Sequence, residues 1–157
     1  MNKKRIFLLL FCSGLLCCSG CADGKEMLLS AYEKTISSLG DFQRTDSFLL
    51  CGKRIDGADA YTGTYTATCK KTRAKDVVFG GCSTKSRDLS ITGTVGAQDG
   101  VIEIYVLNGN EKKQYFTPDV DGTFSGIVHS SGGDCYLVVD YADFTGTVTL
   151  QSNYIEK

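Results

Sequence analysis

Cysteine and histidine are the residue types best suited to chemistry in this chain, and their spacing narrows what that chemistry is. Cysteines stand at positions 12, 17, 18, 21, 51, 69, 82 and 135 of 157 residues, and His129 is the only histidine. A zinc site draws its ligands from close pairs of the C-x2-C type, often with histidines. The intervals of 18, 13 and 53 residues between the last four cysteines contain no such pair, so neither a metal nor another cofactor is expected. A serine hydrolase would need His129 as base, Ser130 as nucleophile and Asp134 as orienting carboxylate. Neighbours on a strand point to opposite faces, which separates His129 from Ser130, and no G-x-S-x-G elbow exists. Carboxylates such as Glu103, Asp140 and Asp143 would serve glycoside hydrolysis only if two of them flanked a cleft; acids beside turns are ordinarily solvated. Asp119-Val120-Asp121-Gly122 has the opening of a calcium loop, but the glutamate needed six residues after the glycine is replaced by Val128. The reading left is a type I′ Asp-Gly hairpin turn. Gly80-Gly81 and Gly132-Gly133 lack the lysine and helix of a phosphate loop. The expectation is a protein that is not an enzyme, with a hydrolase as the third-ranked alternative.

The start of the chain dictates compartment. Lys3, Lys4 and Arg5 precede an apolar run from Ile6 to Leu16, 11 residues long and too short to cross a bilayer as a helix. The following Leu16-Cys17-Cys18-Ser19-Gly20-Cys21 resembles the lipobox of bacterial lipoproteins, whose cysteine receives a diacylglyceryl thioether and becomes the mature N-terminus. Ser19, Gly20 and Cys21 match the pattern, and Cys18 stands where the family usually has an aliphatic residue. The resemblance implies a signal peptide over 1–20, lipidation at Cys21 with palmitate-type chains, and an extracytoplasmic protein held on the cell membrane or outer membrane. Two acyl chains suffice for stable anchoring, at about 0.8 kcal/mol per buried methylene. The competing reading is an ordinary secretory signal cut after Ala22, which would release the protein.

From Cys21 onward 14 basic and 18 acidic residues remain, net −4. That balance opposes nucleic acid as a partner, since phosphate binding needs a large basic surface. Export also changes the meaning of Cys51, Cys69, Cys82 and Cys135, because an even number of cysteines in an oxidising compartment ordinarily forms bridges. Two disulfides are expected. Three pairings are possible, with a slight preference for Cys51 with Cys69 and Cys82 with Cys135; the latter would constrain the unfolded chain by about 4 kcal/mol.

The elements that carry these residues follow from periodicity. Met27, Leu28, Ala31, Tyr32, Ile36 and Leu39 have helical spacing, and Gly40 is a suitable stop. After residue 48 the period changes to two. Tyr61, Gly63, Tyr65, Ala67 and Cys69 alternate with threonines 62 to 68; Ile91, Gly93 and Val95 alternate with Ser90, Thr92 and Thr94. Ile102, Ile104 and Val106 form another such row, as do Cys135 to Tyr141 and Phe144 to Leu150. Turn signals fall at Asp56-Gly57, Asp99-Gly100, Asn108-Gly109-Asn110, Asp121-Gly122 and Gly132-Gly133-Asp134. Eight or nine short strands with one dry and one wet face imply an all-β fold with one N-terminal helix: an antiparallel, jelly-roll-like β-sandwich. The expected organisation is a signal over 1–20, an anchor and helix over 21–47, and a sandwich over 48–157.

The segment from Tyr61 to Tyr154, with Y-T-G-T-Y-T-A, V-F-G-G-C-S-T-K-S-R, D-V-D-G-T-F and G-G-D-C-Y-L-V-V-D-Y-A-D-F-T-G-T-V-T-L, is similar to small uncharacterised lipoproteins of Gram-positive gut bacteria. The resemblance implies the sandwich and a surface location, and no catalytic position.

Charge and aromatics supply the candidate binding residues. Residues 53–87 are net +5 and residues 99–143 net −6. Lys70, Lys71, Arg73 and Lys75 lie between two expected strands, where a projecting basic loop would meet anionic envelope polymers or headgroups, or would merely guard a strand edge. Tyr105 and Tyr136 fall on the wetter side of their strands, as a stacking platform for a sugar or peptide would, although the chain has no Trp. The whole reads as a lipid-anchored, non-catalytic surface binding or interaction module, expected to be monomeric, whose partner is an envelope polymer, glycan or protein. The runner-up is an inhibitor, immunity-type or structural envelope lipoprotein that captures one protein.

Overall fold

The computed structural model describes residues 30–32, 44–109 and 113–155. The chain divides into two units, Met1–Thr35 and Ile36–Lys157. In the first, residues 30–32 are helical, inside the span expected to be a helix; the rest of that span, the signal and Cys21 lie outside the described residues.

The second unit is built on three long strands. Its elements are β1 (Lys53–Asp56), β2 (Gly63–Ser83), β3 (Arg87–Asn108), β4 (Gln114–Tyr115), β5 (Thr123–Ser130) and β6 (Gly133–Tyr154), all antiparallel to their neighbours. β2, β3 and β6 run for 21, 22 and 22 residues, about four times an ordinary strand. Each bends midway and so serves twice. The first layer is β1, the front of β2, the back of β6, the front of β3 and β5. The second layer is the back of β2, the front of β6, the back of β3 and β4. Nine short segments packed in two layers are the expected antiparallel sandwich, reached with only six strands.

The bend has a chemical cause. The register between β2 and β6 slips between Cys69 and Ala74, and that between β3 and β6 slips between Ala97 and Val101. Such bulges sharpen twist and turn a strand from one sheet into the next. Lys71 and Asp143 adopt φ of 50° and 52° there, and the Lys71 N–H donates to Thr145 Oγ1 at 2.9 Å. Gly100 has φ of 77°, and a Cβ on it would lie 2.3 Å from the carbonyl oxygen of Asp143. Asp99-Gly100 is therefore the corner where β3 crosses between layers, and not the hairpin turn that the sequence implies.

Residues alternate inward along both layers to form one core, including Tyr65, Ile91, Val128, Val148 and Leu150 from the first and Val78, Phe79, Ile104, Leu137 and Val139 from the second. Burying each large apolar side chain stabilises the fold by about 1.5–3 kcal/mol. A register shift between Val77 and Phe79 turns Val78 and Phe79 both inward. One carboxylate is also inside: Asp76, 1% exposed, accepts from Tyr65 Oη at 2.5 Å and from the Cys51 N–H at 2.9 Å. Tyr65 Oη lies 2.8 Å from Tyr141 Oη, so this polar chain ties the layers together. Both bonds fall on Oδ2 of the buried acid, and hydrogen bonding of this kind is the condition for tolerating it.

No disulfide joins the four cysteines in the structure, contrary to expectation. For Cys82 and Cys135 the reason is register. Cys82 is opposite Asp134 and Cys135 opposite Gly81, so the two side chains leave the sheet on opposite faces. Cys135 enters the core, and a bridge would have to pass through the sheet. Cys51 lies before β1 and packs on the core that contains Cys69, with both thiols free. Burial, then the Asp76 charge, push the Cys51 thiol up to about 11; burial also raises Cys69.

Candidate functional site

Hydrolase chemistry finds no constellation among the described residues. His129 is opposite Asp88 in the β3–β5 ladder, and its Nδ1 lies 2.9 Å from Asp88 Oδ1, with 75% of the side chain exposed. Ser130 is buried and sits across from Arg87. Asp134 is opposite Cys82 in the β2–β6 ladder. Glu103 and Asp140 are cross-strand neighbours, but Lys75 Nζ engages Asp140 Oδ2 at 2.8 Å. The Asp119–Gly122 turn closes by the Gly122 N–H donating to the Asp119 carbonyl at 2.9 Å. Only Gly122, at φ of 81°, has positive φ in it, so it is not the type I′ turn expected, which needs two such residues. Asp121 accepts from the Thr123 N–H and Oγ1 at 3.0 and 2.8 Å, and these bonds lower its pKa. Among the described residues no cluster of three metal-ligating side chains exists.

The basic residues do not form a projecting loop. Lys70, Lys71, Arg73 and Lys75 lie within β2, across the bend. Arg73 pairs with Asp143 at 2.5 Å and Lys75 with Asp140. The basic and acidic halves of the sequence thus meet across the β2–β6 ladder, leaving Lys70 and Lys71 exposed beside them. Asp140, followed by Tyr105, holds the Lys75 ammonium above its ordinary pKa.

The tyrosine platform is likewise altered. Tyr105 and Tyr136 do lie on the outer face of the second layer, but they are 2% and 4% exposed and pack with Val138, Val77 and Leu107. Tyr115, which sequence reasoning passed over, is 52% exposed, 5.5 Å from the Tyr105 ring, with Lys113 Nζ 4.1 Å from the Tyr105 centroid. Two buried rings stabilise a sheet face; they present no flat surface to a ligand.

The outer face of the first layer is different, and its character comes from aligned threonines. One row across the strands reads Thr66, Thr149, Thr94, Thr123, with Lys53 at the β1 edge; the next reads Thr64, Gln151, Thr92, Ser125, with Ile55 at that edge. Thr68, Thr147 and Gly96 form a third, and Asn153, Ser90 and Ile127 a fourth. No charged side chain occurs in these rows across β2, β6, β3 and β5. All are exposed apart from half-buried Ser90. Thr94 Oγ1 and Thr149 Oγ1 are 2.7 Å apart, so neighbouring hydroxyls already share protons across strands. A shallow groove of about 520 Å³ runs over the first two rows, with Asp119 at its rim. A second hollow of about 580 Å³ shares Thr64 and Gln151 with it and reaches Asn153, Ile55 and Tyr154. The Tyr154 hydroxyl donates to Asp59 Oδ2 at 2.5 Å, and burial, then Asp59, push it up to about 12.

β-Branched threonine is stiff at χ1, so this face is preorganised and gives up little rotamer entropy on contact. It offers donors, acceptors and methyl groups, with no base beside a hydroxyl in its rows. Such a face can hold a ligand by hydrogen bonds and methyl contacts. The alternation that places these threonines outward is visible in the sequence; their assembly into rows depends on the strand order β2, β6, β3, β5, which is non-local.

No protein-family model matches the chain, and no curated protein matches it. Among solved structures it is similar to the pre-peptidase C-terminal domain of Bacillus anthracis collagenase, at 14% identity and TM-score 0.36, covering 65% of this chain and 85% of that one. It is similar to a carbohydrate-binding module of Cellvibrio mixtus lichenase 5A in complex with cellotriose, at 13% identity and TM-score 0.35, over 68% and 88%. A third likeness is to the capsid of Helicobacter pylori bacteriophage KHP30, at 10% identity and TM-score 0.40, over 68% and 94%. At these values no ligand and no residue role passes to this chain, which is an antiparallel β-sandwich by its own strand pairing.

Proposed function

We propose that this chain is a non-catalytic binding module held outside the cell by lipid on Cys21, and that it binds an envelope polymer or partner through the outer face of its first layer. The observation that carries the reading is the uncharged hydroxyl and amide face itself. Solvated sheet faces ordinarily carry mixed charges, whose hydration opposes contact; this one has none in four successive rows across β2, β6, β3 and β5, while ion pairs stand at the bend, on the other layer and at the margins of this face, where Asp88 meets His129 and Arg44 meets Asp56. The lipobox resemblance supports the anchor, and the fixed hydroxyl rows support recognition without turnover.

Two substitution pairs test the site on the full chain in detergent, by co-sedimentation with purified envelope polymer. Thr94→Lys with Thr149→Lys is expected to abolish saturable binding, and Lys70→Ser with Lys71→Ser to retain it. The reverse pattern moves the site to the basic run and defeats this reading. Metabolic labelling with a fatty-acid analogue is expected to mark the wild type and not Cys21→Ser; label retained in the variant removes the anchor.

A further inference from the structure

The groove over the threonine rows does not end at the fourth strand. Through Thr64 and Gln151 it opens into the hollow that contains Ile55 and Tyr154, so one continuous trough runs obliquely from Asp119 to the β1 edge. Five strands at about 4.8 Å spacing make it about 20 Å across, the reach of an extended chain and too long for one small metabolite.

We infer that the ligand of this trough is a neutral polysaccharide, a deduction that rests on the reading of the same face as the binding site. Charge excludes most other polymers. A polyanion would meet one cation, Lys53 at the edge of the first row, while Asp119 and Asp56 stand at the rims. A polycation would find only those two rim acids and nothing along the floor. A peptide bound by its side chains needs apolar pockets, and the floor supplies methyl groups and hydroxyls but no pocket. A sugar polymer matches each component. Threonine Oγ1 both donates and accepts, as a sugar hydroxyl does, and the Gln151 and Asn153 amides add two donors and an acceptor each. The Asp119 carboxylate can accept from two adjacent hydroxyls of one ring. At the other end Ile55, 56% exposed, gives the C–H face of a ring an apolar surface on this side of the sheet. Tyr154, opposite the core residue Leu89 and held by its bond to Asp59, closes the end of the hollow.

Affinity electrophoresis of the full chain in detergent, through gels containing a neutral β-glucan, α-glucan, mannan or xylan and, separately, polygalacturonate, tests the assignment. Retardation by at least one neutral polymer is expected, changing less than twofold between 50 and 500 mM salt, with none by polygalacturonate. Thr149→Lys is expected to weaken it at least tenfold with an unchanged melting temperature, and Asp119→Asn several-fold. Retardation by polygalacturonate alone, lost in high salt and strengthened by Thr149→Lys, would overturn the ligand class and leave the face as the binding site. Neutral-polymer binding untouched by both Thr149→Lys and Ser125→Lys would overturn the location. Retardation by none of the neutral polymers overturns the ligand class, and if envelope polymer also fails to bind saturably the functional reading falls with it.

Discussion

The two outer faces of the sandwich are made by the same three strands and have opposite chemistry. On the first layer β2, β6 and β3 turn out threonine, glutamine and serine, open to solvent. On the second they turn out Val77, Val138 and Tyr105 at the centre, with Lys75, Asp140 and Glu103 in the adjoining row; Val138 and Tyr105 are buried and Val77 is half-buried. Alternation assigns a residue to the outside of a sheet; whether the outside is wet is decided by what packs on it. The first face is open, uncharged and rich in hydroxyls, and the second is packed and contributes to stability.

Substitutions can break that contrast. Val138→Asp would place a carboxylate in the apolar row of the second layer, where Val138 is 1% exposed; it is expected to cost at least about 3 kcal/mol in denaturant unfolding, against about 0.5 kcal/mol or less for Thr149→Lys on the first layer. Equal costs would erase the distinction.

Alkaline titration comes next in size and tests the interior between the faces. Burial raises the Cys51 thiol from 9.0 to about 11 and the Tyr61 hydroxyl from 10.0 to about 12, and raises Tyr65 and Tyr141 further. Each group binds its proton more tightly when folded, so its contribution is complete below the unfolded value and is lost as pH rises through the folded one. Stability measured by urea unfolding is therefore expected to be level up to about pH 9 and to fall steadily above it, with Tyr65 and Tyr141 contributing tyrosinate absorbance only as the chain unfolds, read as the difference between the wild type and Tyr65→Phe with Tyr141→Phe. Such a difference at pH 10 between still-folded chains would contradict this burial. The smallest effect belongs to Arg73→Ser. Its pair with Asp143 has side chains 76% and 62% exposed, so the loss is expected to be under about 1 kcal/mol and to vanish in high salt; a larger loss would make the bend more dependent on charge than its bulges imply.

The layering of the fold was legible in the sequence because period-two alternation and Gly-containing turns are local signals. The bends were not. Asp99-Gly100 has the composition of a hairpin turn and acts as a corner within β3, since nearby partners on β6 hold both arms in register. Tyr105 and Tyr136 fall outward by parity, and only the assembled sheet reveals them as buried. The cysteine count pointed to bridges, while the pairing of Cys82 with Asp134 and of Cys135 with Gly81 is a matter of register that spacing does not contain. The threonine rows were half visible: each strand displays its own hydroxyls, but the charge-free expanse arises from strands as distant in sequence as Thr66 and Thr149.

Continuous bent strands also govern how the protein meets a protease. In a sandwich whose strands each stay in one sheet, loops carry the chain between layers, and a cut there severs the covalent link. Here β2, β3 and β6 pass from one layer to the other as hydrogen-bonded backbone at the bends, so a single nick at a hairpin tip such as 84–86 or 131–132 leaves the layers joined three times over. Cleavage at exposed tips would scar this molecule without dividing it.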